Sequence, residues 1–374
     1  MTRLRVGVLG AGLIAQIEHV PNLLRLKGQF EVVRIADPSA AARGFMQERF
    51  GVPGCETLEQ LLGERLDALL IAAPDFAHVD AVLQGLGAGL HVFSEKPLCY
   101  GPADADRIAA ARERARRVLQ IGYMKRFDPS YEAALEALPG DASRLRYVSV
   151  EVNESDAVYQ MAQHPSRKSD DVPAALLAAG RAETERQVAA ALGGPVDPLS
   201  YRGFTTAYCS SLVHEVNAVH GLFERLGIED VAATGAEIFA GGDGGAGTAR
   251  FNGQSGLWQM VHLMVPGLAD YKERIALYWD DAVLELIFPS PYLNNQQTEL
   301  LVHTSQGQRY ERRFLRNGYQ EAYVRELEGF WGAVVEGQPQ RNTVEQARRD
   351  QALLCELGRM AARPSARAER KARA

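Results

Sequence analysis

Short, unbroken apolar runs separated by helical periods dominate the first third of the chain. Leu4–Leu9, Phe30–Ala36, Leu66–Ala73 and Val118–Gly122 read as strands buried on both faces, as in a parallel sheet. Leu90–Ser94 belongs with them; it ends in the charged pair Glu95-Lys96, and Pro97 stops the ladder. Helical runs at His78–Leu86 and Ala103–Arg116 alternate with the strands, which implies right-handed crossovers and a doubly wound sheet. Gly122–Pro129 is a polar turn leaving that sheet, and Tyr131–Leu138 an amphipathic helix. From Arg146 onward the period becomes two: Tyr147–Asn153, Val231–Phe239, Gly256–Val265, Arg274–Tyr278, Ala282–Phe288, Glu299–Thr304 and Arg309–Leu315 alternate, several joined by short turns such as Asp280-Asp281 and Gln306-Gly307. The predicted fold is therefore α/β: a doubly wound parallel-sheet domain over 1–122, then an α+β domain over 123–374 with a large, mostly antiparallel open sheet. A helical insertion spans about 155–206, where Asp170–Pro173 starts an amphipathic helix that runs to Leu192 and closes at Gly193-Gly194. Such an insertion serves as a lid or as a subunit contact. The glycine-rich run Gly241–Gly247 reads as a flexible hairpin loop, since no helix follows it.

A length of 374 residues fits two domains, because single cores stop growing near roughly 250–300 residues. With 46% hydrophobic and 24% charged residues the chain has the composition of an ordinary globular enzyme, and its net charge of −6 argues against nucleic acid as a partner. The basic, Ala-rich stretch 363–374 reads as a frayed tail rather than a recognition arm. Cys55, Cys99, Cys209 and Cys355 stand far apart with no Cys-x-x-Cys spacing, which fits neither a disulfide framework nor a metal site. The N-terminus runs straight into a strand without a leader pattern, and no stretch approaches the roughly 20 apolar residues of a membrane span. The expectation is a cytoplasmic protein with no membrane contact.

The candidate chemistry begins at Gly10-Ala11-Gly12-Leu13-Ile14-Ala15, which follows a strand and opens a helix. Gly10 would permit the tight turn, Gly12 the close approach of a pyrophosphate, and Ala15 the packing of helix on strand; Leu13 and Ile14 complete the loop. The helix N-terminus offers free N–H donors to phosphate. Asp37 ends the second strand roughly 25 residues on, near the offset at which a carboxylate meets the adenosine ribose. There it accepts from both hydroxyls and repels a 2′-phosphate, favouring NAD over NADP; the alternative is a helix cap. Arg43 lies close enough to swing in. Pro74 ends the strand before His78, which sits in the first turn of its helix and either packs there or touches the cofactor. Lys96 leaves the carboxyl end of its strand, where open sheets place their ligand crevice; the alternative is an ordinary surface lysine. Tyr123 and Arg126 face that crevice, or Arg126 pairs with Asp128 in solvent. Farther on, Ser210, His214 and Asn217 share one stripe of a helix over Ser210–His220, opposite Leu212, Val216 and Val219. A histidine on a polar stripe is a candidate site group, while Glu215 and His220 read as structural.

These motifs resemble the Gfo/Idh/MocA oxidoreductases, named for glucose-fructose oxidoreductase and inositol dehydrogenase. The loop at Gly10–Ala15 is similar to their dinucleotide loop. Ala88–Pro97 is similar to the strand carrying their Glu-Lys-Pro motif, Gly122–Pro129 to the segment entering their substrate domain, and Val213–Asn217 to their catalytic-histidine helix. The resemblance covers nearly the whole chain. It implies a Rossmann domain, a second α/β domain with an open sheet, and reversible hydride transfer at a secondary alcohol of a sugar, glycoside or cyclitol. Carried over, Lys96 holds the substrate hydroxyl, His214 moves its proton, Asn217 and Arg126 contact substrate, and Glu95 and Lys96 border the cofactor. A cis Lys96-Pro97 bond and a homodimer or homotetramer built through the C-terminal sheet are also implied. Ser210 stands where inositol dehydrogenases place an aspartate, and Asn217 where many relatives carry one.

Independently of the family, hydride loss from an alcohol also frees a proton, and its acceptor works best with a pKa near about 7. Imidazole lies near that value unaided, at about 6.5. Without an aspartate at Ser210, Tyr208 or a residue of the insertion would have to orient His214. Two other functions compete: a redox-neutral sugar-processing enzyme with tightly held NAD, and a non-catalytic dinucleotide sensor. A sensor needs no proton carrier, which weighs against the last.

Overall fold

The computed structural model describes residues 2–156 and 158–362; the basic tail at 363–374 lies outside the described residues. The chain forms two compact units that it supplies in alternation. One takes the N-terminal stretch to Asp128 with Gln160–Gln187 and Gln320–Arg349; the other takes Pro129–Tyr159, Val188–Tyr319 and the stretch from Asp350. The changeover expected near Gly122 describes the two sheets. The units interleave more finely because amphipathic helices late in the chain pack onto the first sheet.

The first unit holds six parallel strands: β1 Leu4–Leu9, β2 Phe30–Ala36, β3 Gly54–Cys55, β4 Ala68–Ile71, β5 His91–Ser94 and β6 Leu119–Ile121. Their order is β3-β2-β1-β4-β5-β6, the doubly wound arrangement, with its switch point between β1 and β4. Val6, Val8, Ile35, Leu70 and Phe93 are buried, as the unbroken apolar runs require. The helix Ala322–Trp331 returns to cover them. Its Leu327, Phe330 and Trp331 join the core, with the Phe330 ring edge-on to Phe93 at 5.8 Å and the Trp331 indole N–H donating to the Thr2 carbonyl at 3.0 Å. Burying such side chains contributes about 1.5–3 kcal/mol each.

The second unit holds β7 Leu145–Glu154, β8 Ala232–Phe239, β9 Gly244–Phe251, β10 Gly256–Met264, β11 Lys272–Trp279, β12 Ala282–Phe288, β13 Glu299–Gln306 and β14 Arg309–Arg316. They lie in the order β14-β13-β12-β11-β7-β10-β9-β8, with β7 and β10 parallel and every other neighbouring pair antiparallel. Two sequence expectations are corrected here. Gly244, Gly245 and Gly247 do not form a flexible loop; they open β9, which pairs on both sides. They are glycines because other side chains press on the strand. A Cβ at Gly245 would lie 2.7 Å from the Ala207 methyl, and one at Gly247 2.9 Å from Leu357. The helix expected over Ser210–His220 is two windings: a π-helix Phe204–Leu212 that passes into an α-helix Val213–Leu226. Wider winding shifts the register of side chains on its face, and π segments cluster at functional sites. In the insertion, the helix Ala174–Leu192 stands where its period placed it, ending before Gly193 at φ +86°. No helix among the described residues is long and apolar enough to cross a membrane.

Candidate functional site

In the first unit, the loops after β1, β4, β5 and β6 leave the same carboxyl edge of the sheet. Gly10 and Gly12 have different jobs in the first of them. Gly10 has φ +99°, and a Cβ there would lie 2.4 Å from the Ala72 carbonyl oxygen. Only glycine lets the turn pass the end of β4. Around Gly12 nothing lies within 4 Å of an added Cβ. The space beside it is open, as close approach of a pyrophosphate to the backbone demands. Gly10→Ala is therefore expected to destabilise the protein by more than about 3 kcal/mol. Gly12→Ala should leave the melting temperature unchanged and weaken NAD binding by at least about tenfold, or about 1.4 kcal/mol. Thermal melting beside calorimetric titration separates the two.

Asp37 closes the loop from β2. Its Oδ2 accepts the Ala11 N–H at 2.8 Å and its Oδ1 the Ser39 N–H at 2.8 Å. A carboxylate offers about four lone-pair sites, so two remain for ribose hydroxyls. The cap on the helix Ala40–Phe50 is Ser39, not Asp37: the Ser39 hydroxyl accepts the Ala42 N–H at 2.9 Å. Arg43 donates to the Asp37 carbonyl oxygen at 2.5 Å. Leu13 is exposed, whereas Ile14 packs its side chain onto the core. Pro74 precedes the short turn Asp75–Ala77 after β4. His78, a candidate cofactor contact, is instead a buried strut. Its Nδ1 faces the Pro97 carbonyl and its Nε2 the Ala73 carbonyl, both at 2.8 Å, tying the end of β4 to the residue after Lys96.

Lys96 stands two residues past the end of β5, half-buried, before a cis bond to Pro97. Glu95, expected at the cofactor, has both carboxylate oxygens engaged within the protein. It is 7% exposed, its Oε1 accepts from His19 Nε2 at 2.6 Å, and its Oε2 accepts the Lys96 N–H at 3.1 Å. Burial pushes the Glu95 carboxyl up, but His19 and Lys96 outweigh it and hold the group below its ordinary range. His19 arrives on a π turn, Ala15–His19, whose five residues are all buried. Sequence reasoning passed over it. The available signal was polar Gln16, Glu18 and His19 spread around a helix that must pack on a sheet. Next to the Glu95 strand end, Gly122 donates its N–H to the Ser94 carbonyl at 2.8 Å. Tyr123 and Arg126 follow at once, both buried, so they are brought to the same edge as Lys96. The Arg126 carbonyl accepts from Arg341 at 3.1 Å and the Tyr123 carbonyl from Asn342 at 2.8 Å.

The same unit buries two further acids. Burial, reinforced by Glu321 and Glu95, pushes Glu18 up to about 8 against a hydrogen bond from Asn22. Glu326, fully buried, is raised well above the ordinary carboxylate range by burial, then by Glu95 and Glu18. Neither Glu326 oxygen meets a hydrogen-bond partner. A folded acid with a raised pKa binds a proton that the unfolded chain has already lost. Its contribution is full below about pH 4.5 and declines as pH climbs through the folded value. Glu326→Gln should therefore stabilise the protein at pH 8.5 by about 1–4 kcal/mol and make little difference at pH 5. Equal melting shifts at both pH values would contradict this.

In the second unit, His214 is half-buried at the second position of the α-helix Val213–Leu226, just past the π segment. Asn217 is fully buried and donates Nδ2 to Asp350 at 2.7 Å, so it braces the core instead of contacting substrate. His220 Nδ1 donates to the other Asp350 oxygen at 2.6 Å, the structural part assigned to it. Ser210 is exposed. The π winding turns Ser211 inward instead, where its hydroxyl donates to Glu154 Oε1 at 2.7 Å. Tyr208 does not orient His214; its hydroxyl lies at 2.8 Å from the Ala246 carbonyl and 3.2 Å from that of Glu237. Acids gather near this helix start. Tyr271, half-buried and donating to Glu273 at 2.5 Å, is raised well above its ordinary value by desolvation and then by Glu273, Glu154 and Glu215.

Residues 4–123 match the family described as an oxidoreductase family with an NAD-binding Rossmann fold. An inositol 2-dehydrogenase of Saccharopolyspora erythraea is 33% identical over 134 residues, which is 35% of this chain and 39% of that protein. The rhizopine catabolism protein MocA of Rhizobium meliloti is 37% identical over 131 residues, 34% and 40% of the two chains. The chain thus spans about two-fifths of the length of the curated relatives it matches. Two solved structures share the fold over nearly the whole chain. A 3-ketoreductase from Actinomadura kijaniata, crystallised with NADP, gives a TM-score of 0.68 at 18% identity, covering 94% of this chain and 96% of its own. A UDP-N-acetylglucosamine 3-dehydrogenase from Acidithiobacillus ferrooxidans gives 0.69 at 19%, covering 97% and 98%.

Proposed function

We propose that this chain, whose residues 4–123 match the oxidoreductase family with the NAD-binding Rossmann fold, is a member of the Gfo/Idh/MocA oxidoreductases and transfers a hydride between a nicotinamide dinucleotide and a secondary alcohol or ketone of a sugar, glycoside or (amino)cyclitol. The observation that carries this reading is Lys96, held at the same carboxyl edge of the parallel sheet as the open glycine loop and seated on the His19–Glu95 pair. The dinucleotide supplies the hydride acceptor. Gly10, Gly12 and Asp37 hold it, Asp37 favouring NAD through its two remaining acceptor sites. Lys96 grips the reacting hydroxyl and stabilises negative charge on its oxygen, and His214 carries the proton away. Tyr123 and Arg126 border the substrate. Copies of the chain pair through the second sheet, whose outer strand β14 exposes Tyr310 and Phe314.

The test is a spectrophotometric screen of NAD and NADP against inositols, aminocyclitols, glycosides and nucleotide sugars. Dinucleotide reduction specific to one substrate class is expected. No hydride transfer with any class, and no dinucleotide binding by titration, would sink the proposal. A second reading, redox-neutral chemistry on tightly held NAD, is favoured by one observation: residues 167–171 bond both to Gln16, past the glycine loop, and to Ser39, past Asp37. Cofactor that survives purification, with no net NADH formed, would mark it.

A further inference from the structure

The stretch Gln160–Gln187 belongs to the first unit although the chain reaches it only after β7. Two polar clasps fasten its leading part. Gln16 donates its side-chain amide to the Arg167 carbonyl at 3.0 Å and accepts the Arg167 N–H at 2.8 Å. Four residues on, the Asp171 carboxylate accepts the Ala41 N–H at 2.9 Å through Oδ2 and the Ser39 hydroxyl through Oδ1. The Ala41 N–H is one of the first-turn donors that no carbonyl of its own helix satisfies, at the positive end of an 11-residue helix. An acid drawn from a remote part of the chain therefore occupies the anion-receptive end of the helix Ala40–Phe50. The bonds from Ser39 and Ala41 hold the Asp171 carboxyl below its ordinary range, so it is charged at neutral pH.

This position has a consequence for the cofactor. Ser39, which Asp171 engages, also donates its N–H to Asp37, the residue assigned to the adenosine ribose. A 2′-phosphate on that ribose would point toward Ser39 and the helix N-terminus, where Arg43 stands one turn on as a natural phosphate partner. Instead it would meet a second carboxylate. We infer that Asp171 is a specificity-determining residue: the strap 167–171 crosses the adenosine end of the dinucleotide groove, and its carboxylate fills the place a 2′-phosphate needs. Exclusion works by like charge and by prior occupation of the donors, which is how an unwanted ligand is rejected without loss of affinity for the right one. The inference rests on the reading of this groove as a dinucleotide site.

Calorimetric titration of the full chain with NAD and with NADP tests both separately. Wild type should bind NAD at least about tenfold more tightly than NADP, about 1.4 kcal/mol. Asp171→Asn keeps an acceptor for Ala41 but loses the charge. It should raise NADP affinity at least about tenfold and leave NAD affinity within about threefold, an effect that shrinks at high salt. Adding Arg43→Ala to that variant should remove the gain. Asp171→Ala provides the same readout should the asparagine variant melt early. An unchanged NADP-to-NAD ratio in both Asp171 variants overturns the role of Asp171 while leaving the groove intact. Wild type that binds neither dinucleotide overturns the reading of the groove, and the inference with it.

Discussion

Lys96→Met is expected to yield a protein that melts like wild type and binds NAD as well, yet turns substrate over about 10²–10⁴ times more slowly. Methionine keeps most of the unbranched apolar stem by which a half-buried lysine packs, and deletes only the ammonium. Glu95 beneath it is not orphaned, because His19 still donates to it at 2.6 Å. The fold penalty is accordingly small, and the loss falls on the step in which the hydroxyl oxygen gains negative charge. Lys96→Arg should recover little, since a planar fork does not replace a compact charge at a fitted site. A methionine variant keeping more than about half the wild-type rate would remove Lys96 from the proposed mechanism, because a positioned acid–base group contributes at least about 10².

His214→Asn is expected to cost a similar factor, about 10²–10³ in kcat for alcohol oxidation, with Tm and NAD affinity unchanged. Asparagine approximates the shape of imidazole without offering a base, and the helix Val213–Leu226 is braced elsewhere, through Asn217 and His220 on Asp350. The diagnostic is the pH profile. In wild type the oxidation rate should rise with pH along a limb set by the base, and that limb should vanish in the variant while the residual rate follows hydroxide. A variant that keeps the wild-type limb would assign the proton to another group. The acids Glu154, Glu215 and Glu273 near this helix start would then be examined first.

The elements were legible at a distance because their signals are local. Unbroken apolar runs marked β1 and β2 to the residue, and alternation marked β12. The glycine loop was readable as a motif, but the division of labour inside it was not. Gly10 is required by the carbonyl of Ala72, a partner 62 positions away in the sequence. The polar stripe Ser210–His214–Asn217 was drawn with α-helical spacing. The π winding rotated Ser210 outward and Ser211 inward, and burial drew Asn217 to Asp350. His78, in the first turn of its helix, was open to packing or to a cofactor contact, and the family resemblance put Glu95 at the cofactor. Each is a buried polar group, and such groups are satisfied by whichever backbone or side chain lies nearest in space.

Sequence by itself determined the alternation of strand and helix, the placing of glycines at a turn, the position of Lys96 past a strand, and the switch to an antiparallel sheet. All of these follow from side-chain periodicity and backbone freedom over a few residues. Tertiary structure alone decided which polar groups meet: His19 with Glu95 across 76 positions, Asp171 with Ser39 across 132. Such pairs are chosen when packing strips water from groups that must then find one another, and no local period records that choice.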